Sequence, residues 1–413
     1  YMPGGNTRVT QWFDPYPFFV EKGREHNLYD IDGNVYLDFM INATTLILGH
    51  SHPKIVSALT EQVKKGVSFS APTESQGRLA KLLVERIPSV EKIRFTNSGT
   101  EATMLSIMAA RAFTNKPKIA KFEGGYHGSQ DHVSISVNPS KENLGKETNP
   151  GVLEHGGLPD SLLDEVIVMP INDIEKCKEL IYSNRSSLAC VIMEPVISNL
   201  GYMPLDYDFL KFIREITEEL GIVLIFDEIQ SFRLSKGGAQ ETIGITPDIT
   251  CLGKIIGGGL PVGAYGGSRE IMQMVAPEGS MYQAGTLSGN PLAVNAGVDT
   301  LRILDNPKHY QKLEYLTSYF VDGLRQICRR RECAVSINRV GSMFTIFFGP
   351  GSVNTYPEAV ASDVKGYSRF FHNMLEAGIY MPPSQFEAAF LSLAHTKEDL
   401  DYAISAADQV LAG

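Results

Sequence analysis

The chain has 413 residues, of which 43% are hydrophobic and 20% are charged, and its formal net charge is −10. This length predicts two or three structural units, and the acidic balance excludes nucleic acid as the main partner. The five cysteines are scattered and odd in number, which excludes a disulfide framework and favours a cytoplasmic location. No apolar run reaches the length of a membrane span, and no Cys/His set has zinc-like spacing, so we expect neither a membrane partner nor a metal.

The first predicted element is a hairpin over residues 27–40, where apolar and polar residues alternate around Asp32 and Gly33. From Pro53 the apolar spacing becomes helical, and strands and helices then take turns. Such alternation predicts a largely parallel sheet with helices on both faces. The predicted elements of this part are helix 76–88, strand 92–96, helix 100–114, strand 117–122, strand 188–194, helix 206–220, strand 222–226 and strand 249–252.

The pattern changes near residue 300 to one typical of a smaller α+β unit. We therefore predict three regions: residues 1–52, which pack with the small domain, a large domain over 53–300 and a small domain over 301–413. Residues 138–163 lack periodicity and predict a long loop. The elements predicted for the last region are helix 308–331, strands 333–337 and 342–348, a helix around 357–376 and a closing helix 396–411.

Two residues carry the strongest chemical signal. Asp227 ends the hydrophobic run 222–226, and Lys254 stands among apolar residues and glycines at 251–259. Burial favours the neutral amine of a lysine, which attacks an aldehyde, and a carboxylate beside a pyridine nitrogen keeps that ring protonated. Lys254 and Asp227 are therefore candidate catalytic residues of a pyridoxal 5′-phosphate site. Taken singly, they are better explained as a solvated lysine and a loop or cap acid.

Further candidates follow predicted strands. Ser98, Gly99 and Thr100 open a helix after strand 92–96, where backbone amides at the positive helix end suit a phosphate. An ordinary N-cap box explains the same residues equally well. Tyr126 stands between glycines, which allow close approach, and its ring offers a flat face to a pyridine; the alternative is a packed tyrosine in a turn.

Two other residues have weaker signals. Glu194 ends the predicted strand 188–194, and we expect it to support Asp227, although a strand-end cap is equally plausible. Thr286 lies in a loop of small residues before a helix, where it is either a phosphate donor or part of a flexible connector. The glycines after Lys254 do not form a nucleotide-binding P-loop, because they follow the lysine.

Together these motifs resemble class III, fold-type I pyridoxal-phosphate aminotransferases, in the order of that family and through nearly the whole chain. Within the family, the sequence is similar to the glutamate-1-semialdehyde aminomutases and to the β-amino-acid (β-phenylalanine-type) aminotransferases. The resemblance implies a mostly parallel, seven-stranded-type sheet in the large domain. The motifs are residues 97–101, 126–128, 194–195, 226–228, 253–259 and 285–286.

The resemblance also implies roles. Lys254 forms the Schiff base with the cofactor, Asp227 pairs with the pyridine nitrogen and Tyr126 stacks on the ring. A homodimer is implied, in which Thr286 reaches the phosphate held by the other subunit. The full set of implied cofactor contacts is Ser98, Gly99, Thr100, Tyr126, His127, Glu194, Asp227, Ile229, Lys254 and Thr286.

The substrate signals divide between the two relatives. Residues 226–291 and 383–396 are similar to the aminomutases, whereas the opening 1–8 resembles the β-amino-acid aminotransferases. In that resemblance Arg8 would clamp a carboxylate, and a solvated arginine in a frayed terminus explains it equally well. With Ala43 and Asn172 as further substrate-binding candidates, we expect an aminotransferase that acts on a β- or other non-α amine with a keto acid as partner. The alternatives are a glutamate-1-semialdehyde 2,1-aminomutase, a racemase or decarboxylase, and a non-catalytic binding module.

Overall fold

The computed structural model describes residues 1–138, 151–153, 155–199, 201–203, 205–349 and 351–412, so most of the loop predicted over 138–163 lies outside the described residues. The strands are β1 (Val20–Arg24), β2 (Asn27–Asp30), β3 (Val35–Asp38), β4 (Lys92–Thr96), β5 (Lys118–Phe122), β6 (Val166–Met169), β7 (Leu188–Met193), β8 (Val223–Asp227), β9 (Ile249–Gly253), β10 (Gly263–Gly267), β11 (Val335–Val340), β12 (Met343–Phe348), β13 (Ile379–Tyr380) and β14 (Ala389–Phe390).

Helices occupy most of the intervening chain. Two 3₁₀ turns lie near the predicted site residues, at Ser231–Leu234 and Lys254–Gly257. None of the helices within the described ranges is long and apolar enough to cross a bilayer. The α-helices are α1 (Pro53–Lys65), α2 (Glu74–Val84), α3 (Gly99–Thr114), α4 (Ile174–Asn184), α5 (Tyr207–Glu219), α6 (Ala239–Ile243), α7 (Arg269–Met272), α8 (Pro291–Ile303), α9 (Pro307–Arg330), α10 (Tyr356–Ala361), α11 (Val364–Glu376) and α12 (Lys397–Val410).

The predicted large sheet is confirmed. Seven strands lie in the order β4-β10-β9-β8-β7-β5-β6, and all neighbouring pairs except those of β10 are parallel. Successive residues of β7 point to opposite faces: Cys190 and Ile192 pack in one apolar cluster, and Val191 and Met193 pack in another. Both faces are therefore covered, as the continuous apolar runs predict.

Strand β10 has no alternating pattern, because three of its five residues are glycine. A side chain at Gly263 would place its Cβ 2.0 Å from the carbonyl oxygen of Ser98. Glycine is therefore required where β10 passes beneath the loop that opens α3. This close approach brings that loop against the edge of the sheet.

Two smaller sheets complete the fold. The predicted hairpin forms β2 and β3 with Gly33 at a φ of +89°, and β3 then pairs in parallel with β13 from the last part of the chain. The second sheet has the order β11-β12-β14. The single helix predicted around 357–376 is wrong: the chain breaks between α10 and α11, where Asp363 Oδ1 accepts the N–H of Gly366 and caps α11.

The buried His395 predicts a loss of stability in acid. Burial lowers the pKa of His395 to about 4, from 6.5, and Ser392 donates its backbone N–H to His395 Nδ1 at 3.0 Å. Between pH 6.5 and 4 the unfolded chain binds a proton that the folded chain does not. We therefore expect the free energy of unfolding to fall as pH falls through this window, by about 1.4 kcal/mol per pH unit from this group.

Urea denaturation from pH 4.5 to 7 measures this slope. His395→Asn keeps an acceptor near the Nδ1 position without a titrating ring. The change of its free energy of unfolding with pH should therefore be smaller by about 1.4 kcal/mol per pH unit, the contribution of one bound proton. His155→Asn is the matched control, because His155 is exposed. Equal slopes for wild type and His395→Asn would contradict the prediction.

Candidate active site

Lys254 lies directly after β9, at the start of the 3₁₀ turn Lys254–Gly257, with a φ of +48°. Helix α8 packs closely on this turn, because a Cβ at Gly297 would lie 2.0 Å from the carbonyl oxygen of Ile256. Burial lowers the pKa of Lys254, while Asp227, Glu194 and other carboxylates oppose that shift. The amine therefore loses its proton more readily than a solvated lysine does.

Asp227 ends β8, the strand beside β9, and is buried. Its Oδ2 lies 2.9 Å from Nδ1 of the buried His127, and its Oδ1 accepts the N–H of Ile229 at 3.1 Å. Because parallel strands end at the same edge, adjacency of β8 and β9 brings Asp227 and Lys254 together. His127 thus fixes the orientation of the Asp227 carboxylate.

The start of α3 has the geometry of a helix cap. Ser98 Oγ accepts the N–H of Glu101 at 3.2 Å, so the N-cap expected from the sequence is present, and the backbone amides of the first turn point out of the helix. A Cβ at Gly99 would lie 2.5 Å from Cδ1 of Ile229, whose backbone bonds to Asp227. Thr100 Oγ1 accepts the N–H of Ser129 at 3.3 Å. The cap and the Asp227 segment are therefore in contact.

Glu194 lies near Asp227 and bonds to the loop that carries Tyr126. Glu194 Oε1 accepts the N–H of Tyr126 at 3.3 Å, and Oε2 accepts from the Ser198 hydroxyl. Burial, followed by the nearby charge of Asp227, raises the pKa of Glu194 to about 8. Tyr126 itself is 44% exposed, although Gly125 and His127 beside it are buried. Among the described residues Glu194 bonds to Ser198 and to the loop that carries Tyr126, and it forms no hydrogen bond with Asp227. The support of Asp227 by Glu194 stays a prediction.

A cavity bordered by the amino-terminal segment and by the turn after β3 contains two of the three predicted substrate residues. Arg8 donates through both Nη1 and Nη2 to Asn42 Oδ1 at 3.0 Å, and Ala43 lines the same cavity. Asn172 lies elsewhere: it follows the edge strand β6, and its Oδ1 accepts the N–H of Asp206 at 3.0 Å. The structure therefore joins Arg8 with Ala43 and leaves Asn172 outside this cavity.

Sequence reasoning missed Glu387, which lines the cavity with Arg8 and Ala43. Burial raises the pKa of Glu387, and the charge of Lys254 opposes that shift. The signal was present, because Glu387 belongs to the stretch 383–390 that resembles the aminomutases. Asn42 was also missed as a partner of Arg8, since the two residues are far apart along the chain.

Thr286 is exposed, in a turn that contacts the start of α3 through a 3.3 Å bond from Asn97 Nδ2 to Ser288 Oγ. Nearby side chains include Tyr282, which is 75% exposed, and Leu287, which is 54% exposed. In this single chain Thr286 therefore belongs to an exposed, partly apolar loop.

The chain is similar over its whole length to proteins of known family. A curated relative, glutamate-1-semialdehyde 2,1-aminomutase 2 of Brevibacillus brevis, is 46% identical over 415 residues, which cover 100% of this chain and 95% of that protein. An omega-transaminase from Sphaerobacter thermophilus has a TM-score of 0.94 at 39% identity, covering 100% of this chain and 94% of that one. A beta-phenylalanine aminotransferase from Variovorax paradoxus has a TM-score of 0.88 at 31% identity, covering 100% and 91%.

The family description "Aminotransferase class-III" matches residues 9–411, nearly the whole described chain. The match includes the strand ends that carry Asp227 and Lys254 and the helix start at Ser98. The chain belongs to the class III aminotransferase family.

Proposed function

We propose that the chain is a pyridoxal 5′-phosphate enzyme that moves an amino group on a small carboxylate substrate, and that its reaction is the isomerisation of glutamate-1-semialdehyde. The observation that carries the first part is the pairing of a deprotonation-prone Lys254 with the buried Asp227 at adjacent strand ends. The second part rests on identity of 46% with an aminomutase along the whole chain.

The residues present fit this cofactor. Gly99 and Gly128 leave room where a Cβ would collide with Ile229 or Thr100, which keeps the helix start open to a phosphate. Asp227 offers a carboxylate held by His127, and the exposed ring of Tyr126 is available for stacking. When bound, the cofactor supplies an aldehyde for the amine and an electron-withdrawing ring. Ser98, Gly99 and Thr100 would hold the phosphate.

The protein's own groups then handle protons. Burial lowers the pKa of Lys254, so its Nζ accepts a proton from the substrate carbon that bears the amine. Over the whole isomerisation a proton is delivered to the adjacent substrate carbon that receives the amine. Asp227 would pair with the ring nitrogen, and His127 prevents its carboxylate from turning away. Glu194 has a pKa raised to about 8, so at neutral pH it adds little charge that would compete with Asp227.

The charged side chains that line the cavity favour a substrate that has a single carboxylate. Among the described residues that line it, Arg8 is the one arginine and there is no lysine, while Asp38 and Glu387 are acids and His50 lies 2.7 Å from Asp38 Oδ2. A dicarboxylate keto acid requires a second cation, whereas glutamate-1-semialdehyde carries a single carboxylate. An isomerase also needs no separate keto acid. This balance and the named relatives support the isomerase over the aminotransferase expected from the sequence.

An aminotransferase of non-α amines is the second candidate. The Arg8–Asn42 pair favours it, because the opening 1–8 resembles β-amino-acid aminotransferases. The backbone likeness to an omega-transaminase, with a TM-score of 0.94, also supports this activity. A monocarboxylate keto acid such as pyruvate would satisfy the single cation.

We also propose that the chain acts as a homodimer in which Thr286 reaches the phosphate site of the partner subunit. The exposed loop of Tyr282, Thr286 and Leu287 beside the start of α3 supports this arrangement. Large exposed apolar side chains are typical of subunit contacts.

Glutamate-1-semialdehyde supplied to the purified holoenzyme tests the proposed reaction. We expect 5-aminolevulinate to form without any keto acid, since both half-reactions occur on one substrate. The parallel assay supplies β-phenylalanine with pyruvate and measures alanine. Alanine formation without isomerisation would select the aminotransferase, and neither product would refute both.

Lys254→Ala tests the role of the amine. The variant should lose any link between protein and cofactor that borohydride can trap, because Lys254 is the amine that directly follows β9, the strand beside Asp227. Turnover should fall by at least about 10²–10⁴-fold, the usual contribution of a positioned base. Lys178→Ala, at an exposed residue of α4, is the matched control. Mass spectrometry of the reduced protein gives the readout, and a trapped adduct in Lys254→Ala would overturn the assignment.

A further inference from the structure

The segment after β3 has a strained backbone. Four consecutive residues, Ile41, Asn42, Ala43 and Thr44, have positive φ angles of +38°, +50°, +51° and +72°. Such angles are uncommon for residues other than glycine, and they are genuine outliers for the β-branched Ile41 and Thr44. These conformations persist only where surrounding contacts impose them. We call residues 41–44 the substrate turn.

Side chains fix the substrate turn at both ends. At its start, Asp38 Oδ1 accepts the N–H of Met40 at 2.8 Å and of Ile41 at 2.9 Å. At its end, Arg233 Nη1 donates to Thr44 Oγ1 at 2.8 Å, and Thr44 is fully buried. Arg233, which is far away along the chain, therefore holds the turn through the hydroxyl of Thr44.

Arg233 is a buried cation with neutral partners. It is 1% exposed, and its guanidinium also donates to Ser342 Oγ and to the carbonyl oxygen of Leu391, with the ring of Phe390 5.1 Å away. Among the described residues its hydrogen-bond partners are two hydroxyls and a carbonyl oxygen, with no carboxylate, and burial lowers its pKa to about 10. Burying an arginine without an acid is costly, so a methionine would suit this site better if packing were its only task.

The substrate turn determines where the cavity's cation sits. Asn42 Oδ1 accepts from both terminal nitrogens of Arg8, so the direction of the Asn42 side chain orients the guanidinium. Ala43 lines the same cavity, which also contains Glu387. A right-handed backbone at residues 42 and 43 would point both side chains elsewhere.

We propose that Arg233 is a positioning residue that keeps the substrate turn left-handed and thereby fixes the carboxylate-binding geometry of Arg8. The inference rests on the proposed function, in which Arg8 binds the substrate carboxylate. Arg233 lies six positions after Asp227, in the segment whose Ile229 bonds to Asp227. One short segment therefore positions both the acid of the cofactor site and the turn that selects the substrate.

Two substitutions of Thr44 separate backbone geometry from the hydroxyl itself. Thr44→Val keeps the β-branched shape but removes the acceptor, so the turn should relax and KM for glutamate-1-semialdehyde should rise about tenfold, the loss of one charge-assisted hydrogen bond. Its kcat should stay within about twofold. Thr44→Gly also lacks the hydroxyl but tolerates a positive φ, so its KM should remain near that of wild type.

A binding measurement gives a second readout that needs no turnover. Butanoate, a plain carboxylate, is titrated into the full-length holoenzyme while the fluorescence of Trp12, the single tryptophan, is followed. Butan-1-ol is the control probe, and Thr217→Val, at a buried threonine bonded within α5, is the control variant. We expect Thr44→Val and Arg233→Lys to weaken butanoate binding about tenfold, with Thr44→Gly and Thr217→Val unchanged.

Arg8→Met distinguishes a failure of the proposed carboxylate site from a failure of the positioning role of Arg233. If Arg8→Met leaves butanoate binding intact, the carboxylate site and the inference that rests on it both fail. If Arg8→Met weakens binding but Thr44→Val does not, or if Thr44→Val and Thr44→Gly are equally impaired, only the role of Arg233 is overturned. The Thr44 variants decide the matter even if Arg233→Lys does not fold.

Discussion

The burial of the Lys254 amine beside three carboxylates is the constraint on which the rest of the site depends. Burial lowers the pKa of Lys254 and raises that of Glu194 to about 8, and it also raises the pKa of Glu387. Removing water thus favours the neutral form of each of these groups. His127 and the N–H of Ile229 bond to the two oxygens of Asp227. The site therefore combines an amine ready to react with one carboxylate held in place.

Close backbone packing produces this burial. Gly297 lets α8 approach the turn that starts at Lys254, and Gly263 lets β10 pass beneath Ser98, with room for no Cβ in either place. An alanine at either position would push apart the elements that exclude water, and a wetter site would return the Lys254 pKa toward its usual range. Residues that never contact substrate thereby control the reactivity of the amine.

Much of this arrangement could be predicted from sequence, because it depends on local patterns. The apolar runs before Asp227 and Lys254 predict neighbouring parallel strands, and Ser98 with Glu101 predicts a helix cap. Strand β10 escaped detection because its glycines serve a contact with a distant loop, not a local preference. Glu387 and Arg233 were missed as site residues for a related reason: their importance comes from burial and from partners far along the chain, which no local pattern contains.

Under the proposed function, the substrate turn separates the side chains that select the substrate from the contacts that hold the backbone. Arg233 holds the turn through the hydroxyl of Thr44, and Asp38 holds it through backbone N–H groups, so neither contact involves the side chains of Asn42 and Ala43. Those two side chains can change without disturbing the anchors. The acid and the amine, held by β8 and β9, are unaffected by such a change. The proposed catalytic residues, Asp227 and Lys254, are therefore distinct from the residues proposed to select the substrate, and the short segment between Asp227 and Arg233 connects the two sets.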